Sequence, residues 1–153
     1  MAMLLTNALF DDFVLKEMEL QTFTSFHVSG QFHEEFFSKD EIEQRGAEKA
    51  VLWGEIREIA YSIIRGYKSP LIMRIVLQLP YDRTAKLIGS LGGKLRSEDV
   101  GGLYINIRFE KKELHMVTGT AIKTFTLDKT LDNEWDTWAK KFLSKQGILY
   151  SEE

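Results

Sequence analysis

Apolar positions between Leu103 and Gly147 follow two different periods. Leu103, Ile105, Ile107 and Phe109 alternate with Tyr104, Asn106, Arg108 and Glu110, the period of a half-buried strand. After Lys111-Lys112 the alternation resumes in Leu114, Met116 and Thr118, which predicts the returning arm of a hairpin. Trp135, Trp138, Ala139, Phe142 and Leu143 then fall at i, i+3, i+4, i+7 and i+8, one stripe of an amphipathic helix. A hairpin with one apolar face, followed by a helix with one apolar stripe, predicts a two-layer α+β unit.

The same reading extends toward the N-terminus. Leu5, Leu9 and Phe13 recur every fourth residue and predict a short helix over Leu4 to Phe13. Met18, Leu20, Thr22, Thr24, Phe26, Val28, Gly30 and Phe32 then alternate for longer than one strand usually runs, so a break is expected at Thr22 to Thr24. Lys39 to Ala47 is charged and weakly patterned, the lead-in to a helix over Ala50 to Arg65 striped by Leu52, Ile56, Ile59, Ala60 and Ile63, with Gly66 as its left-handed stop. Leu71, Met73, Ile75, Leu77 and Leu79 alternate up to Pro80, which ends the strand. Asp82 is placed to cap a short helix containing Leu87, Ile88 and Leu91, closed by Gly92-Gly93. The last helix is capped by Asp132 or Thr130, carries an Asp136–Lys140 i,i+4 pair, and stops at Gly147. The expected fold is α+β: a mainly antiparallel sheet of about five strands with helices packed mostly on one face, in one domain over residues 1–153.

Composition narrows the chemistry. The absence of cysteine in 153 residues excludes disulfides, thiolate metal sites and cysteine nucleophiles together. Met1 to Leu5 contains no basic residue and Asp11-Asp12 cuts the first apolar run short, so neither a signal peptide nor a membrane span is expected and the cytoplasm is the expected compartment. The net charge of −3 conceals an asymmetry. Residues 1–43 hold nine carboxylates (Asp11, Asp12, Glu17, Glu19, Glu34, Glu35, Asp40, Glu41, Glu43) against Lys16 and Lys39. Residues 65–96 hold Arg65, Lys68, Arg74, Arg83, Lys86, Lys94 and Arg96 against Asp82 alone. These basic residues divide among a helix end, a strand, a second helix and a loop, so no single basic patch, and no nucleic-acid or membrane binding, is expected of them.

Few motifs suggest catalysis. Gly89-Ser90-Leu91-Gly92-Gly93-Lys94 has the glycines of a phosphate loop without its spacing: Ile88 stands where the first glycine belongs and Leu95 where the magnesium-binding hydroxyl belongs. It reads as a helix stop. His27 and His33, six positions apart on one predicted strand, would stand roughly 20 Å from each other, too far to share an ion. Glu34-Glu35 and Asp11-Asp12 are adjacent pairs whose side chains diverge, and Phe36-Phe37 is expected to anchor a turn or helix start in the core. No catalytic residue, metal site or cofactor is implied.

The fullest constellation is the polar face of the hairpin. A two-residue turn at Lys111-Lys112 pairs Phe109 with Leu114, Arg108 with His115, Asn106 with Val117 and Tyr104 with Gly119. Tyr104, Asn106, Arg108 and His115 then share one face, with Arg74 extending it. An aromatic, arginines and a histidine on a sheet suit a phosphate or a nucleobase; the alternatives are a face covered by a helix and a plain solvated sheet, and the plain sheet is the reading the residues favour.

The runs Phe23-Thr24-Ser25-Phe26 through Gly30 to Phe36-Phe37, Gly101-Gly102-Leu103-Tyr104-Ile105-Asn106-Ile107-Arg108, Thr118-Gly119-Thr120, Phe125-Thr126-Leu127-Asp128-Lys129 and Glu134-Trp135-Asp136 resemble a family of small uncharacterised bacterial proteins, a domain of unknown function. The resemblance spans the whole chain. It implies a bacterial cytosolic protein and supplies no catalytic residue. Gly119 within it marks a bulge or a point of close backbone approach. The function expected is a non-catalytic binding or interaction protein, with a protein partner or a small anionic ligand. The alternative is a small enzyme or a nucleic-acid- or anion-binding module that uses the polar face of the sheet.

Overall fold

In the computed structural model, residues 2–46, 49–64, 69–93, 95–123 and 128–152 are described. They form a five-stranded antiparallel sheet and five α-helices. The strands are β1 (Val14–Gln21), β2 (Ser25–Val28), β3 (Ile72–Gln78), β4 (Val100–Glu110) and β5 (Glu113–Ile122), in the order β2-β1-β3-β4-β5. The helices are α1 (Ala2–Thr6), α2 (Lys39–Arg45), α3 (Trp53–Ile64), α4 (Tyr81–Gly89) and α5 (Thr130–Lys145). The α+β class and the antiparallel sheet are those the alternation predicts. None of the helices is long and apolar enough to cross a membrane.

The alternating residues bury one side of the sheet. Leu15, Met18 and Leu20 of β1, Met73, Ile75 and Leu77 of β3, and Leu103, Ile105 and Ile107 of β4 are buried in one cluster with Leu4, Leu5, Phe10, Phe13, Trp53, Ala60, Ile88 and Trp135. Helix α5 lies along this side. Its Trp135 is fully buried and donates its indole N–H to the Tyr104 carbonyl at 2.9 Å. Trp138 is only partly buried, stacked between Trp135 and Phe142 with ring centroids 5.2 Å from each. Thr118 donates to Asp136 and Thr120 to Asp132, so hydroxyls two apart on a strand meet carboxylates four apart on a helix. The Thr-Gly-Thr segment therefore docks α5 onto β5.

The structure corrects several element boundaries. The predicted first helix is split into α1 and a 3-10 turn at Ala8–Phe10, and Phe13 is buried just ahead of β1. The long alternating register breaks at Thr22 to Thr24 as expected but ends at Val28, and His33 is outside the sheet. Lys39–Arg45 is a helix of its own because Ser38 and Glu41 close a capping box, an S-x-x-E signal that hydrophobic period alone passes over. Pro80, not Asp82, occupies the N-cap of α4, and Asp128 takes the capping role at α5, accepting from the Thr130 N–H at 2.9 Å. Asp132 is turned to Thr120 instead. Phe36 is 82% exposed and does not enter the core, whereas Phe37 stacks on Phe32 at 5.5 Å. The β4–β5 irregularity falls between Val100 and Gly102, not at Gly119. Gly66, the expected stop after α3, lies outside the described residues.

The excursion from Ser29 to Leu52 is held at its start, at Arg45 and again where it rejoins β1. A bulge at Lys16 interrupts β1, and Gly30 (φ +71°) passes so close that a Cβ there would stand 2.4 Å from the Lys16 carbonyl oxygen. Farther along, Arg45 stands over the rings of Phe32 and Phe37, 4.9 and 5.2 Å from their centroids, and forms a fork with Glu55 at 2.7 and 2.9 Å. The chain then returns to flank β1, with the Leu15 N–H donating to Val51 O and the Trp53 N–H to Phe13 O.

Candidate functional site

The hairpin register fixes the second face of the sheet. Lys111 and Lys112 both have positive φ, as a type I′ turn requires, and Glu110 faces Glu113 across it. Arg108 is opposite His115, Asn106 opposite Val117 and Tyr104 opposite Gly119, the pairing that the alternation predicts. On β3, Arg74 is opposite Arg108, and on β1, Glu19 is opposite both Arg74 and His27. One cross-strand row therefore spans the whole sheet: His27, Glu19, Arg74, Arg108, His115.

The charges in this row are arranged unequally. Glu19 accepts from Arg74 at 2.8 Å, and Glu110 accepts from Arg108 at 2.7 Å, so each arginine leans toward its own carboxylate. The Gln21 amide above all, with Arg74 and His27 adding to it, holds the Glu19 carboxyl below its ordinary pKa against the cost of burial. His115 lies 3.2 Å from Glu113, and His27 lies 3.1 Å from Glu17. Between the arginines is a depression of about 250 Å³ lined by Glu17, Glu19, Arg74, Val76, Asn106 and Arg108. The guanidiniums remain half in solvent, with 50% and 52% of their side chains exposed. Arg74 and Arg108 are thus register partners that each hold a carboxylate while keeping about half of the side chain in water.

Of the five residues expected to form a site, Arg74, Asn106 and Arg108 line the depression and His115 adjoins Arg108. Tyr104 does not join them. A Cβ at Gly102 would stand 2.7 Å from the Tyr104 hydroxyl, so the ring folds back over that glycine, away from Arg108, which is four residues farther along β4. Glu17 and Glu19 are the charged lining residues that sequence reasoning missed, although the β1 alternation puts both on this face. Of the other basic residues between 65 and 96, Arg83 and Lys86 are on exposed positions of α4 and Arg96 is near Glu98 and Asp99. Arg65, Lys68 and Lys94 lie outside the described residues, as do Phe125, Thr126 and Leu127.

These features define a two-layer α+β protein with one sheet face packed under helices and the other crossed by a charged row. Within that class, the chain belongs to a family of unknown function, DUF5721, whose model matches residues 3–151. No curated protein and no solved structure matches the chain.

Proposed function

We propose that this is a non-catalytic binding protein of the bacterial cytoplasm, and that its ligand is a small anion or the anionic group of a larger partner. The observation that carries the reading is the direct cross-strand opposition of Arg74 and Arg108 on an exposed part of the sheet. Like charges placed opposite one another disfavour a sheet, and a shared anion relieves that cost by bridging them. Asn106 adds an amide to the same depression, and His115 stands beside Arg108 on the next strand. The other described basic residues between 65 and 96 do not continue the pair, which favours a compact anion over a nucleic-acid backbone.

The test is an amide and side-chain NMR titration of the full chain with inorganic phosphate and with small carboxylates. Saturable shifts should centre on Arg74, Asn106, Arg108 and His115 and vanish in Arg74→Gln and Arg108→Gln. If no anion produces a saturable shift at these residues, the face is only solvated and the reading is wrong.

A further inference from the structure

We infer that β5 is a self-association edge, at which a second copy of this chain adds its own β5 antiparallel to form one ten-stranded sheet. The two free edges differ in how they are protected. β2 is four residues long, and residues 51–53 take up the flank of β1 beyond it. β5 runs for ten residues, contains no proline or lysine, and carries no extra residue of its own, because the irregularity opposite it belongs to β4. Proline, inward charge, a bulge and shortness are the usual guards of an exposed edge. This edge has none of them.

The geometry of the edge selects a register. The two-residue turn makes Glu110 and Glu113 a hydrogen-bonded pair, so the odd-numbered residues of β5 bond to β4. Lys123 continues the pattern, its N–H donating to Asp99 O at 2.8 Å. Leu114, Met116, Thr118, Thr120 and Ile122 therefore turn their N–H and C=O groups outward, and among the described residues no backbone group pairs with them. A twofold axis at Thr118 uses the strand from end to end. It makes Thr118–Thr118, Met116–Thr120 and Leu114–Ile122 the bonded pairs between copies.

The side chains fit the same axis. Val117, 63% exposed, meets Gly119 of the other copy, a large residue over a vacant position. Leu114, 37% exposed, meets Ile122 beside a groove of about 960 Å³ whose apolar wall includes Met116, Leu143 and Ile148. Glu113 meets Lys123 twice, once on each side of the axis. Moving the axis one residue back, to Val117, brings Lys111 opposite Lys123 instead, and moving it to Met116 leaves the end of the strand unpaired. Charge and length thus favour one arrangement, an isologous dimer.

The experiment is sedimentation equilibrium of the full chain from about 1 to 200 µM, with variants chosen from the register. The expected species approaches twice the 17.7 kDa chain mass as concentration rises. Lys123→Glu and Glu113→Lys should each weaken association about tenfold, since each replaces two attractive pairs with two repulsive ones, and the double exchange should restore it. Thr118→Pro, which removes the central pair of bonds, should abolish association. The charge exchange tests the register even if that proline variant fails to fold. A chain that stays monomeric throughout overturns the inference, as does a dimer indifferent to both charge variants. A monomer that instead captures an extended peptide on β5 makes the edge a peptide groove and likewise overturns self-pairing.

Discussion

Arg74 and Arg108 face each other directly across β3 and β4, yet each is drawn to a carboxylate, Arg74 to Glu19 on β1 at 2.8 Å and Arg108 to Glu110 two residues along β4 at 2.7 Å. The carboxylates offset a repulsion built into the register. Glu19→Gln should therefore lower the thermal midpoint, and adding Arg74→Gln to it should recover at least half of the loss. A double variant no more stable than Glu19→Gln would show that the arginines do not repel measurably.

Trp135 and Trp138 are successive members of one stripe and should differ in cost. Trp135→Ala removes a fully buried ring and its bond to the Tyr104 carbonyl, an expected loss of about 4–5 kcal/mol. Trp138→Ala leaves a site already partly open and should cost about 2–3 kcal/mol. Urea denaturation of the two variants checks the ranking, and the reverse order would contradict the packing described.

Arg45 ties Phe32, Phe37, Ala50 and Glu55 together. Arg45→Lys keeps the charge but loses the planar fork and the stacking, and should destabilise by about 1–2 kcal/mol in chemical denaturation. A neutral outcome would mean that charge alone holds the excursion.

The same pair gives a pH signature. The Arg45 fork, aided by the Leu52 N–H, holds the Glu55 carboxyl below its ordinary pKa against partial burial. A depressed folded-state pKa contributes stability that is present above the unfolded value, roughly 4.3, and lost as pH falls through the folded one. Wild type should exceed Glu55→Gln in urea midpoint at pH 6, and the gap should narrow and close as pH falls through the acidic range below the unfolded value. A gap that persists unchanged in acid would remove the ion pair as its cause.

Gly30 and Gly102 look alike in sequence and should respond differently to alanine. At Gly30 the new Cβ meets the Lys16 and Leu15 carbonyl oxygens at 2.4 and 2.5 Å with φ at +71°, so Gly30→Ala should cost about 3 kcal/mol. At Gly102 it meets the ends of the Gln78 and Tyr104 side chains, which can turn aside. Gly102→Ala should cost less than about 1.5 kcal/mol and displace the Tyr104 ring. Equal losses at the two positions would refute this account.

The sheet was legible in the chain because its strands are covered on one side, which impresses a period of two on Met73 to Leu77 and on Leu103 to Phe109. The hairpin register followed from a two-residue turn, and with it the opposition of Arg108 and His115. Other features depend on contacts that no local pattern encodes. Asp132 and Thr130 have capping chemistry, but Thr120 engages Asp132, and Asp128 engages Thr130. The Arg74–Arg108 opposition needed the β3–β4 pairing, which no turn specifies, because α4 and a loop separate the two strands. Phe36 was expected inside on hydrophobicity alone, whereas it belongs to an excursion held by Arg45 and not by the core.

The bond from the Trp135 indole to the Tyr104 carbonyl joins the two sides of the sheet through a single peptide group. Tyr104 carries its side chain on the face of the charged row while its carbonyl is read from beneath by a buried tryptophan. The protein thus contains its own optical probe: a disturbance of β4 by an occupant of the exposed face should alter the tryptophan emission, and Trp135→Phe should remove that response while Trp53 and Trp138 still emit.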